Sequence, residues 1–158
     1  MSGPALVAGE PAPPFALPDD AGGVATLEDY RGGKLVLYFY PKDDTSSCTL
    51  EAREFDALAS GFAAAGARVL GVSPDGPASH VKFRTKHGLS LRLASDEAKA
   101  ALSAYGVWVE KSMYGRAYMG VERSTFLIGA DGRIARIWRK ARAKGHAEAV
   151  LAAARELP

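Results

Sequence analysis

Two short apolar runs with a helical stretch between them limit the folds open to this chain more than any other feature. LVLYFY, Leu35 to Tyr40, is rich in aromatic and β-branched residues, and ARVLGVS, around Val69 to Val72, has the same character. Runs of that length and composition read as strands buried on both faces. Between them Phe55, Leu58 and Phe62 recur at helical spacing, and Gly66 stands where a left-handed residue would stop a helix. A buried strand, a helix and a second buried strand make a βαβ unit, for which a right-handed crossover is the rule.

The rest of the chain builds on that unit. A second helix is predicted from near Pro77, with Asp75 as its cap, to Gly88, although its apolar face is thin. A short third helix places Ala98, Ala101, Leu102 and Tyr105 on one face, with Gly106 as its stop. STFLIG, the turn Ala130-Asp131-Gly132 and RIARIW give a hairpin signal, and from about His146 a last helix carries Ala147, Val150, Leu151 and Ala154 at apolar spacing. Strand, helix, strand, helix, short helix, hairpin, helix is an α/β arrangement with a mixed central sheet flanked by helices. By analogy of element order it is the layout of the thioredoxin fold. One domain is expected over residues 1–158, with its core at 34–158 and an N-terminal β extension at 1–33. In that extension ALV, FAL and VATL, separated by proline and glycine turns, read as short strands on the flank.

Composition removes several function classes. An apolar share of 47% with 24% charged residues is that of an ordered globular chain. A net charge of +2 is too small for binding a polyanion by charge alone. The run Leu35 to Tyr40 is far short of the ~20 apolar residues a membrane-spanning helix needs, so no membrane partner is expected. The amino end, MSGPALVAGEPAPPFALPDD, has neither a basic start nor an apolar run of signal-peptide length, and a single cysteine leaves no internal disulfide to form. A reducing, cytoplasmic setting follows as the expectation. RIARIWRKARAK, Arg133 to Lys144, is basic and holds a tryptophan, but it reads better as a charged edge strand that resists aggregation than as a nucleic-acid surface. His80 and His87 are seven apart on a predicted helix, beyond the reach of a shared metal, so surface or capping roles are expected for them and for His146. No glycine-rich phosphate loop follows a strand, and no cofactor or metal is expected.

The lone thiol is the informative residue. Free cysteine is among the most buried residue types, which makes an inert core residue the default. Cys48, however, falls in the first turn of a predicted helix, behind Thr45, Ser46 and Ser47 as candidate caps, where unpaired backbone donors and the helix dipole favour a thiolate. A thiol with a pKa of ~8.5 needs ~2.7 kcal/mol of help to be mostly ionised at neutral pH. A helix end contributes ~0.3 to 1 kcal/mol at an exposed site, whereas a cation about 4 Å away contributes roughly 4 kcal/mol at an effective dielectric of 20. A reactive Cys48 should therefore come with an arginine.

PKDDTSSC, Pro41 to Cys48, matches the PxxxTxxC motif of the peroxiredoxins, and YGVWVEKSMYGRAYMGVERSTFLIGADGRI, Tyr105 to Ile134, resembles the second half of the bacterioferritin comigratory protein, or Q-type, branch of that family. The resemblance covers nearly the whole chain. It implies that Cys48 is the peroxidatic cysteine, that Pro41 and Thr45 complete its pocket, that Arg123 in VERST is the cation, and that Glu51 orients that arginine. It also implies a peroxide substrate and a thiol reductant. Many relatives in this branch carry a resolving cysteine five residues after the first, and others carry one in the next long helix; Arg53 and Arg84 stand at those places here. The expected enzyme is thus a one-cysteine peroxidase, a monomer or weak homodimer, regenerated by an outside thiol such as thioredoxin, glutaredoxin or glutathione. A monothiol disulfide-exchange protein or a non-catalytic redox-sensing module would share the fold and the helix-start cysteine without needing Thr45 or Arg123.

Overall fold

The computed structural model describes residues 5–158. Its centre is a five-stranded mixed sheet. β3 (Lys34–Phe39) lies in the middle, with β4 (Ala67–Ser73) parallel to it and β5 (Arg92–Ser95) parallel to β4. On the other side β8 (Ser124–Ile128) runs antiparallel to β3, and β9 (Ile134–Trp138) closes that edge. β3 shows why a continuous apolar run is needed at the centre. Leu35, Leu37 and Phe39 face one apolar cluster, while Val36, Tyr38 and Tyr40 face the other.

The first cluster is covered by the N-terminal extension and by α4 (Ala100–Ala104). β1 (Ala16–Pro18) and β2 (Val24–Thr26) form a small antiparallel hairpin, followed by a 3-10 turn at Leu27–Tyr30 that Thr26 and Asp29 close as a reciprocal capping box. FAL and VATL thus supply strands, while Ala5 to Val7 forms none; a β-bridge from Pro11, backbone bonds at Gly9, Glu10 and Ala12 and the Arg133 side chain on the Gly9 carbonyl fasten the segment that follows to β9 and its turn. The segment between α4 and β8 holds a hairpin that the sequence did not suggest, β6 (Trp108–Met113) with β7 (Arg116–Val121). Its turn, Tyr114-Gly115, has both residues at positive φ, and its side chains are mostly exposed, so little apolar alternation marks it.

The second cluster carries the helices α1 (Ser46–Ala57), α2 (Ala59–Ala64), α3 (Pro77–His87) and α5 (His146–Glu156). The single helix expected through Phe55, Leu58 and Phe62 is two. At Leu58 the amide bonds back to the Phe55 carbonyl, three residues away, which tightens one turn before the i to i−4 pattern resumes with Phe62. Gly66, at φ +76°, ends the pair as expected. α3 begins at Pro77 and ends at Gly88, but its cap position is Gly76; the Asp75 carboxylate instead accepts bonds from the Asp43 amide and the Ser73 hydroxyl. Tyr38 stacks on Phe55 of α1 at 4.6 Å between ring centroids. That contact needs Gly71 next door on β4, because a Cβ there would come within 2.7 Å of the Tyr38 ring. The C-terminal half of α1 is thereby seated on β3. No helix among the described residues is long and apolar enough to cross a membrane.

Candidate active site

The loop from β3 to α1 delivers the thiol. Pro41, half-buried, opens it; Asp43 and Asp44 turn it; Thr45 takes the cap position, and its carbonyl accepts the Thr49 amide at 2.8 Å. The expected side-chain cap is absent. The Thr45 hydroxyl donates to the Lys42 carbonyl at 2.9 Å, which leaves its oxygen lone pairs open to another donor. Cys48 is the third residue of α1, in its first turn, and is only 2% exposed.

Arg123 lies in the short connection from β7 to β8, where its carbonyl accepts the Ala141 amide at 2.9 Å. Its two arms point at two acids. Nη2 donates to Cys48 Sγ at 3.2 Å, and Nη1 donates to Glu51, one turn further along α1. The arginine side chain is 13% exposed and the Glu51 side chain not at all. Burial pushes the Glu51 carboxyl up to about 7, although the charge of Arg123 and its hydrogen bond act in the opposite direction. Burial also works against the Arg123 charge, yet Glu51 first and Cys48 second hold that guanidinium above its ordinary value. The two shifts conflict only superficially. One cation faces two acidic groups, so its charge is held, while burial of the carboxyl outweighs the pull of that same cation on it. His146 lies behind the arginine, hydrogen-bonded to Thr125 at 2.7 Å; burial, and then the Arg123 charge, push it down to about 4.

Cys48, Arg123 and Glu51 are in direct contact, and Thr45 and Pro41 stand on the loop that leads to the thiol. The histidines correct the expectation of surface roles. His80 is wholly buried and His146 nearly so; His87 is half-buried against Asp44. His80 belongs to a polar network that the sequence did not reveal, made with Asp43, Tyr40 and Ser79 directly beneath the Cys48 loop. One signal for it existed: His80, Phe83 and His87 share a helical face that also carries the buried ring of Phe83. A hollow of about 720 Å³ lies beside this network, between the Asp43-Asp44 turn and α3, and is lined by neither Cys48 nor Arg123.

The AhpC/TSA family model matches residues 8–137. The chain is 47% identical to peroxiredoxin Bcp of Xanthomonas campestris over 90% of its own length and 91% of that protein, and 45% identical to peroxiredoxin Bcp of Bacillus subtilis over 87% and 88%. A structure of the Xanthomonas campestris bacterioferritin comigratory protein, solved as trapped intermediate and ligand complexes to explain its alkyl peroxide reduction activity, superposes with a TM-score of 0.86 at 44% identity, covering 90% of each chain.

Proposed function

Because the chain belongs to the AhpC/TSA family, in its peroxiredoxin Bcp branch, we propose that Cys48 is the peroxidatic thiol and that Arg123, Glu51, Thr45 and Pro41 build its site. The protein is a thiol-dependent peroxidase, and its single cysteine fits a one-cysteine cycle. The observation that carries the residue assignment is the Arg123 guanidinium 3.2 Å from Cys48 Sγ at the first turn of α1.

Each group has a task in the chemistry. The thiolate of Cys48 attacks the terminal oxygen of the peroxide in line with the O–O bond; the S–O bond forms as the O–O bond breaks, and the departing oxygen takes the peroxide's own proton. Sulfur is oxidised by two electrons to the sulfenate, and the peroxide is reduced to water or an alcohol. Arg123, a planar group that does not lose its charge, meets the thiolate and the oxygen on which charge develops. The open lone pairs of Thr45 Oγ1 accept the peroxide hydrogen and so fix the axis of attack. Pro41, with no amide hydrogen, walls the pocket without adding a donor. Two equivalents of an external thiol then finish the cycle: the first displaces water from the sulfenic acid to give a mixed disulfide, and the second releases Cys48. Thioredoxin, glutaredoxin or glutathione would serve as that thiol.

The experiment is peroxide-driven loss of the Cys48 thiol in a single turnover. The expected rate far exceeds that of free cysteine, and Cys48→Ser abolishes turnover, because a serine hydroxyl stays protonated. A thiol that reacts no faster than free cysteine would leave only the exchange or sensing roles.

A further inference from the structure

With 2% of its surface exposed, Cys48 is closed to a bulky thiol, yet the reductant's sulfur must come within about 2 Å of Sγ to form the mixed disulfide. The peroxide step has the opposite need, a closed pocket with Sγ held on Arg123. Whatever fixes the loop 41–45 therefore sets the balance between the two half-reactions.

Two consecutive aspartates of that loop are tied to one helix. Asp43 Oδ2 accepts the Ser79 hydroxyl at 2.7 Å and is hydrogen-bonded to His80 Nδ1 at 2.7 Å, while Oδ1 accepts the Tyr40 hydroxyl at 2.6 Å. His80 Nε2 donates to the Ala94 carbonyl at 3.0 Å, so both ring nitrogens are committed and the ring cannot turn without losing a bond. The Asp43 amide donates to Asp75 at 2.8 Å. Asp44 accepts Lys86 Nζ and His87 Nε2, both at 2.7 Å. Its backbone sits at φ +60°, a left-handed conformation uncommon outside glycine, which aspartate adopts more readily than most residues. α3 thus grips the loop near both of its own ends, through Ser79 and His80 at one and through Lys86 and His87 at the other. The inner tie is buried and shielded from water; the outer tie is exposed and individually weak.

We propose that Asp43 and His80, with the outer tie from Asp44 to Lys86 and His87, are positioning residues that hold the Cys48 loop in its peroxide-reactive form, and that releasing these ties admits the reductant to the sulfur. The inference rests on the peroxidase reading above. It predicts opposite effects on the two half-reactions, which a merely structural role would not produce.

The test measures two rates separately: thiol loss with hydrogen peroxide in a single turnover, and reduction of the preformed sulfenic acid by dithiothreitol. His80→Asn removes the Nε2 bond to the Ala94 carbonyl and so loosens the inner tie. Lys86→Ala with His87→Ala breaks the outer tie and leaves no buried carboxylate unpaired. The peroxide step should slow roughly tenfold or more in His80→Asn, as expected for misplacement near the reacting atoms, and several-fold in the outer variant, while the dithiothreitol step quickens in both. Rates that move in the same direction, or that stay at wild-type values in a folded variant, overturn the proposal. If His80→Asn does not fold, the outer variant decides by the same criterion. A wild-type thiol no faster than free cysteine removes the peroxidase reading itself, whereas a fast wild type with unmoved variants removes this inference alone.

Discussion

Removing the arginine from the site is the most direct trial of the assigned chemistry. Sγ and Nη2 are 3.2 Å apart, and two unit charges at that separation attract by about 5 kcal/mol at an effective dielectric of 20. Two observations reduce what the reaction can draw from that. Glu51 uses the other arm of the same guanidinium, and the arginine side chain keeps 13% exposure. A charge-assisted hydrogen bond typically contributes a net ~1.5 to 3 kcal/mol, so Arg123→Ala should slow the peroxide step by roughly 10- to 150-fold. Arg123→Lys keeps the charge but has one nitrogen where two arms are needed, and it should fall between. Stopped-flow thiol loss over a pH series is the assay. If the arginine acts mainly by favouring the thiolate, the deficit narrows as pH passes ~8.5, where a free thiol ionises unaided. A deficit of constant size would place its action on the departing oxygen. An Arg123→Ala variant within twofold of wild type at neutral pH would refute the assignment.

Three further outcomes are expected. Thr45→Val keeps the side-chain shape and removes the hydroxyl, so peroxide turnover should fall about tenfold, the cost of roughly one hydrogen bond; the thiol's reaction with a neutral alkylating agent, which needs no peroxide axis, should not change. Glu51 and His146 should pull stability in opposite directions with pH. Between pH 4.5 and about 7 folded Glu51 keeps a proton that the unfolded chain has lost, so its contribution falls as pH rises through that window; between about 4 and 6.5 His146 is neutral in the folded chain and charged in the unfolded one, so its contribution rises. In the overlap the two nearly cancel. Denaturant melts should therefore show a rising profile in Glu51→Gln and a falling one in His146→Gln, and identical profiles would contradict both shifts. Finally, intact mass after graded hydrogen peroxide should show added oxygens on Cys48 at high peroxide, and a mixed disulfide when a small thiol is present. A single-oxygen species that resists both treatments would contradict the open sulfenic acid.

The parts of this molecule legible in its sequence are those that rest on local pattern. The runs at Leu35 and Val69 became the central parallel pair, and the Ala130-Asp131-Gly132 turn became a hairpin, because apolar content and turn chemistry are properties of neighbours. Cys48 and Arg123 were legible for another reason: two family-like segments pointed to one spot, and the side chains meet there. What escaped depends on distance or on exposure. β5 is four residues long and begins with an arginine, and the β6 and β7 hairpin buries too little to show a period. The break at Leu58 is a single tightened turn inside an unbroken helical spacing. His80 finds its partner Asp43 37 residues away, and nothing adjacent to either residue marks the pairing.

The absent second thiol takes on more meaning beside what stands in its place. Arg84, at one of the two positions where the resemblance to this branch would place a resolving cysteine, is not idle. Its guanidinium pairs with Asp20, whose side chain is almost wholly buried, and its Nε donates to the Leu89 carbonyl at 3.2 Å. It therefore pins the C-terminal end of α3 to the N-terminal extension, close to where Lys86 and His87 hold the Asp44 turn. A resolving thiol on α3 would have to leave that helix to reach a buried Cys48, and the ties to the active-site loop would have to break with it. A helix that delivers no thiol has no such requirement. The same economy leaves the sulfenic acid with no internal partner, so protection from further oxidation falls to the speed with which an outside thiol reaches it.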